Sequence, residues 1–237
     1  MSDGVWVKVH PDDAGGGELP GIGGWATIES VTGNPTRYTY NDGIDWVAFE
    51  WTNAGVQSVT TSGGLVETLI VGGGARGAAS TGGGVSECFA NLKNGPSQIV
   101  VGAGGAGRPP TADWSIFGKP STLEIEGGFA SGGPGIHTNG YGSNTVGGIS
   151  PPPYRSEITG SEKLYSSRQG EGVPFENGRG VGSSGENNAT SGSVTIRVPA
   201  ANDNTGGAGS IPASVRAAVD EAVDQAKEAV RDRRKRR

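Results

Sequence analysis

The sequence predicts a mainly β protein: a glycine-rich β-sandwich or sheet scaffold with extended polyglycine-type segments, plus one C-terminal α-helix. Three observations predict it. Short runs of alternating β-branched and aromatic residues recur, as in "TRYTY", "DWVAFEW" and "SGSVTIRVP". Glycine supplies 45 of 237 residues, nearly three times an average usage of roughly 7%. Only the last stretch, "IPASVRAAVDEAVDQAKEAVRDRRKRR", combines abundant alanine with apolar residues at helical spacing.

Residues 1–35 read as a short arm. In it "VWVKVH" alternates as an edge strand does, and "GGGELPGIGG" is a flexible break. Residues 36–199 read as the glycine-rich β domain. It opens with a hairpin, "TRYTYNDGIDWVAFEW", whose Asn41-Asp42-Gly43 supports a tight turn. "SVTT" and "LVETLIV" read as two further strands. Trp25, Trp46, Phe49 and Trp51 are the expected core aromatics. From Gly72 to about Asn188 glycine dominates, interrupted by the strand-like "SQIVV" and "STLEIE" and by a proline-rich loop, "SPPPYRSEITG". "SGSVTIRVP" closes the domain as a strand, with Val194, Ile196 and Val198 alternating with Ser193, Thr195 and Arg197.

Residues 200–210 have linker composition. Residues 211–237 form the expected basic amphipathic helix, with Pro212 suited to its first turn. Val215, Val219, Ala222, Ala226 and Val230 give a narrow apolar stripe, too thin for a lone helix to be held by burial. It is the candidate assembly helix. Its basic end suits the helix dipole and an acidic protein surface.

The stretch "VETLIVGGGARG" carries the spacing G-x-G-x-x-G at Gly72, Gly74 and Gly77. A dinucleotide loop needs a strand before the glycines and a helix after them, because the helix N-terminus holds the pyrophosphate. Here "AASTGGGVSE" follows, and each glycine costs a helix about 1 kcal/mol. The spacing recurs at Gly102, Gly104 and Gly107, where Pro109 and Pro110 block a helix. No P-loop fits, since Pro120 follows Lys119. No cofactor is therefore expected. Glycine instead permits tight turns, or lets threefold, polyproline-II-like segments pack without a Cβ between them. A collagen helix is excluded, because no strict Gly-X-Y repeat exists.

A composition of 33% hydrophobic and 18% charged residues leaves few large side chains to offset glycine entropy. Neighbouring subunits are accordingly expected to contribute stability, as in a homo-oligomer. The net charge of −5 argues against nucleic acid as a partner. One cysteine, Cys88, excludes an internal disulfide and a cysteine-based zinc site. No apolar run reaches the ~20 residues of a membrane span, and the first residues lack the pattern of a signal peptide.

Catalytic and metal residues are expected to be absent. His10 and His137 are the only histidines, and no G-x-S-x-G elbow exists. Cys88 reads as a small buried apolar residue, and Glu124 and Glu126 as the wet face of a strand. Trp114, His137, Tyr141, Tyr154 and Tyr165 sit in glycine or proline loops. They are the candidate surface-recognition residues, able to stack on sugars or fill a partner's pocket. The alternative is that they pin glycine loops to the scaffold.

"GGLVETLIVGGGARG", then "NGPSQIVVGAGGAG", then "GKPSTL" followed by "EGGFASGG", and the closing "SGSVTIRVP" stand in an order and spacing that carry a resemblance. Over roughly residues 36–199 the chain resembles the glycine-rich domain of bacteriophage minor tail proteins, especially those of phages infecting actinobacteria. The resemblance implies a virion structural protein at the tail or tail tip, made in the host cytoplasm. It also implies oligomerisation with other virion proteins, contact with host-surface glycan, and no catalytic residues. The Pro151–Pro153 loop and the basic C-terminal helix depart from the family pattern. A capsid decoration protein and a glycan-binding receptor module are the alternatives; an enzyme acting on cell-wall polymer lacks an acid–base constellation.

Overall fold

The computed structural model describes residues 24–76, 82–106, 118–133, 153–167, 176, 178–183 and 188–205. Eight strands form one sheet: β1 (Ile28–Val31), β2 (Thr36–Asn41), β3 (Asp45–Trp51), β4 (Gly55–Val71), β5 (Val85–Val101), β6 (Ser121–Ile125), β7 (Gly128–Gly132) and β10 (Ser193–Pro199). The order is β2-β3-β10-β4-β5-β6-β7, with β1 also on β4. β8 (Tyr154–Ser156) and β9 (Lys163–Tyr165) form a separate hairpin. The chain is thus mainly β, as the alternating runs predict.

The β2–β3 turn is set by side chains that mimic backbone. Asn41 Oδ1 accepts the Gly43 amide at 3.0 Å, and Asp42 Oδ1 accepts the Trp46 indole N–H at 2.7 Å. β10 pairs with β3 on one side and β4 on the other, so the last of the described strands is inserted inside the sheet.

"SVTT" and "LVETLIV" are parts of one 17-residue strand, β4, paired along its length with the equally long β5. The pair bends at Gly63, Gly64 and Gly95, whose φ values of 81°, 123° and 103° lie where other residues are strained. Beyond this corner β4 pairs with β10; before it, with β1. Val71 and Val101 stand at opposite ends of the paired strands. Yet Ser121 Oγ donates to Val71 O at 2.6 Å and accepts the Gly102 amide at 2.9 Å. The two arms are therefore folded back on each other, and one core lies between them, as when strands switch layers at a corner. Phe49, Trp51, Ile70 and Ile196 enter it from one layer, and Ile28, Val59, Ile99 and Leu123 from the other. Trp46 is buried on the opposite face, and Trp25 packs only partly against the core.

Where β4 ends, the glycines begin a second kind of packing. The amides of Gly72, Gly73 and Gly74 donate to Gly84 O, Lys119 O and Thr190 O, at 3.0, 2.9 and 3.0 Å. Three successive residues thus bond three different neighbours, the threefold habit of a polyproline-II-type segment. Gly83 to Gly180 O, Gly105 to Gly74 O, Gly180 to Ser191 O and Gly192 to Gly102 O continue the lattice. A Cβ at Gly73 would overlap the Ala103 carbonyl; at Gly83 it would meet Gly72 O, and at Gly118 Gly73 O. These are the extended glycine-packed segments that the composition predicts.

The described part of the expected arm, residues 24–35, belongs to the sheet: β1 pairs with β4, and Ala26 and Ile28 are fully buried. Likewise residues 200–205 of the expected linker are docked. Asp203 is fully buried against Arg37 at 2.6 Å, and the Asn204 amide donates to Ile28 O. A polar run reads as a linker until a partner far away in sequence satisfies it. The "SPPPYRSEITG" stretch contains β8 and the buried Ile158 and Thr159. The helix over 211–237, with Val215, Val219, Ala222, Ala226 and Val230, lies outside the described residues.

Candidate functional site

β3, β4 and β10 turn their second face away from the core, and on it the register sets charged residues side by side. Arg197 of β10 is the direct cross-strand partner of Glu67 on β4, and Thr195 that of Glu50 on β3. Alternation makes this face polar in sequence, but it is covered rather than wet. Glu50, Glu67 and Arg197 are all less than one-tenth exposed. Buried charges persist only when paired and hydrogen-bonded.

Each of them is. Arg197 forms a buried salt bridge to Glu67, donates to the Tyr40 hydroxyl, and lies 4.5 Å above the Trp46 ring. Burial alone would lower the Arg197 pKa; the Glu67 charge and the hydrogen bonds to Tyr40 and Glu67 together outweigh it, and the net direction is upward. The Tyr40 hydroxyl donates in turn to Ile158 O at 3.1 Å. Glu50 accepts the Tyr38 hydroxyl at 2.7 Å, the Lys163 ammonium at 3.2 Å and the Tyr165 hydroxyl at 3.3 Å. Burial, and then the adjacent Glu50 carboxylate, push the hydroxyls of Tyr38 and Tyr165 well above the ordinary tyrosine range. Burial likewise raises Tyr40.

Between this network and the loop that follows β8 lies a cavity of about 160 Å³. Tyr40, Asn41 and Asp42 line one side, Glu157, Ile158 and Gly160 the other, and Glu67, Glu87 and Arg197 complete it. Phe89 is 44% exposed, directly opposite Glu67 in register and two residues from Glu87. Its ring packs edge-on against Trp25 at 6.1 Å, which in turn meets Trp46 at 5.4 Å.

Of the sequence-predicted recognition residues, the structure places two. Tyr154 is 38% exposed and donates to Glu87, a residue of the cavity wall, at 2.8 Å; burial and then Glu87 push its hydroxyl up to about 12. Tyr165 is fully buried against Glu50, so it is removed from the surface candidates and pins the hairpin instead. Trp114, His137 and Tyr141 lie outside the described residues. Glu124 accepts Lys93 and the Gln98 amide on an open face, and the hydrogen bond from Lys93 holds its carboxyl low. Cys88 is half-buried, with its thiol 3.5 Å from Thr68 Oγ1.

Sequence reasoning missed Glu67, Glu87 and Arg197. One signal was present: Glu67 in "LVETLIV" and Arg197 in "SVTIRVP" are lone, opposite charges inside otherwise apolar or hydroxyl-bearing strands.

The Gly72, Gly73 and Gly74 amides are all donated to backbone carbonyls, which leaves none of the three for a phosphate. Among the described residues no group of three His, Cys, Asp or Glu is placed to hold a metal ion. No helix among them is long and apolar enough to cross a membrane. Comparison of the chain with protein families, with curated proteins and with solved structures found no match.

Proposed function

We propose that this chain is a structural subunit of a bacteriophage virion, a minor tail or tail-tip protein, built on a stiff glycine bundle. The observation that carries the reading is the bundle itself. Its segments bond mainly backbone to backbone, in several directions at once, and tolerate no Cβ at contacts such as those of Gly73, Gly83 and Gly118. Such packing gives a rigid, protease-resistant support and no reactive group, so the reading includes no catalysis.

The bundle also has a distinct end. Arg76 Nη1 donates there to Ala106 O at 2.6 Å and to Asn188 Oδ1 at 3.0 Å, and Arg76 bridges to Ser183. The resemblance to glycine-rich minor tail proteins points the same way.

Electron microscopy of virions labelled with an antibody to the chain tests the proposal. Label at the tail or tail tip is the expected result. Label on the head would favour a capsid decoration protein, and absence of the chain from purified virions would overturn the reading.

A further inference from the structure

We infer that residues 211–237 dock on their own chain, with the apolar stripe of the expected helix laid over Trp25, Leu65 and Phe89. The inference is independent of where the chain sits in a virion.

The surface is a contiguous apolar patch. Trp25 bridges to Leu65 just before β1. Leu65 stands opposite Asn91 in the β4–β5 register, and Phe89 opposite Glu67, so Leu65 and Phe89 are diagonal neighbours on one face. The Trp25 and Phe89 rings meet edge-on at 6.1 Å. Phe89 is exposed, and Trp25 and Leu65 are half-buried. Single exposed apolar side chains are ordinary, but a joined group marks a surface that another segment covers.

The chain itself returns to this patch. Asn202 Nδ2 donates to Trp25 O at 3.2 Å, and the Asn204 amide to Ile28 O at 2.8 Å. Thr205, the last described residue, follows directly. Residues 206–210, Gly-Gly-Ala-Gly-Ser, reach up to about 18 Å when extended. That brings residue 211 back to Trp25. From Val215 to Val230 a helix would run for about 22 Å. Its stripe is too narrow to hold a helix unaided and calls for an apolar surface of matching width. A short flexible tether sets an effective concentration on the order of millimolar. That favours the chain's own segment over a second copy.

Charge matches as well. The whole chain carries −5; residues 231–237, with five arginines, one lysine and one aspartate, carry +5, so the remainder carries −10. Carboxylates flank the patch on both sides. Glu87 is two residues from Phe89, and the exposed Glu126 accepts Asn91, the cross-strand partner of Leu65. Arg197, Lys93 and Arg155 are already paired with Glu67, Glu124 and Glu162. The basic end of the segment supplies the cations that these flanks lack.

Paramagnetic NMR on the full chain tests the docking. A nitroxide is attached at Ala217→Cys, in a Cys88→Ser background; Ala217 falls on the side of a helix opposite the stripe. The amides of Trp25, Leu65 and Phe89 are expected to lose intensity, and that of Val56, exposed at the start of β4 in the other layer, to keep it. Phe89→Asp and Val219→Asp are each expected to restore the lost signals. Phe89 is exposed, so unchanged shifts for Val194 and Ile196 check that the fold is kept. Replacing Arg233, Arg234, Lys235 and Arg236 by glutamine is expected to restore them in part, as is high salt. Diluting the labelled chain into an excess of unlabelled chain is expected to change nothing. Full intensity at the patch overturns the inference, as does broadening that survives Phe89→Asp. Broadening that fades on dilution also overturns it, and assigns the patch to the helix of a second copy.

Discussion

A methyl group at Gly73 would overlap the carbonyl oxygen of Ala103, a backbone atom held in turn by the Lys119 amide at 2.8 Å. Nothing there can rotate out of the way. A methyl group at Gly128, at the start of β7, would meet open space, at a φ outside the left-handed region. The same substitution therefore has two outcomes. Gly73→Ala is expected to cost about 3 kcal/mol, the upper end of what overpacking does, because the neighbour cannot yield. Gly128→Ala is expected to fall within about 0.5 kcal/mol of neutral or to stabilise slightly, since it only restricts the unfolded chain. Urea unfolding of the two variants checks this, and equal losses would remove close backbone approach as the role of the bundle glycines. The G-x-G-x-x-G spacing could be judged in sequence because Pro109 and the trailing glycines forbid a helix. Which carbonyl each amide would reach could not, since Gly74 bonds Thr190 across 116 positions.

At the scale of elements, the covering by β8, β9 and their connection is held on the sheet by hydroxyls that must stay protonated. Tyr38, Tyr40 and Tyr165 have folded-state pKa values raised above the ordinary value of about 10. Between the unfolded and folded values the native state holds more protons than the unfolded chain, so stability falls as pH rises. Their contribution is complete below about pH 10 and is lost above it. The urea midpoint is expected to drop above about pH 10, with tyrosinate absorbance appearing only as the protein unfolds. Tyrosines titrating freely near 10 in the folded protein would contradict the burial. Here legibility was uneven. The β2–β3 hairpin and β10 could be read directly, because Asn41-Asp42-Gly43 and the Val194-Ile196-Val198 alternation are local signals. The corner in β4 could not. Ser62, Gly63 and Gly64 look like a break between strands, and only pairing with the matching bend at Gly95 makes them one strand. Nor could the site be read, because Ser193, Thr195 and Arg197 carry the pattern of a wet face. The layer that covers them comes from a proline-rich stretch with little strand propensity of its own.

The whole molecule joins two packing regimes through continuous chain. β4 runs into Gly72–Ala75, β5 into Gly102–Gly105, and Gly192 leads into β10, while Ser121 ties Val71 to Gly102 at the junction. A chain with 33% hydrophobic residues cannot rely on side-chain burial alone. The bundle adds backbone hydrogen bonds of about 1 kcal/mol each in their place. Because β10 is the last of the described strands and sits between β3 and β4, neither regime is complete until residues 188–199 are in place. The two are then one cooperative unit, and native-state hydrogen exchange reads this out. The amides of Gly73, Gly74, Gly83 and Gly105 belong to no strand, yet they are expected to exchange as slowly as those of Ile70 and Ile196, with the same opening free energy and the same dependence on urea. Exchange of these glycines at loop rates, while β4 and β10 stay protected, would mean that the bundle opens on its own and stiffens nothing.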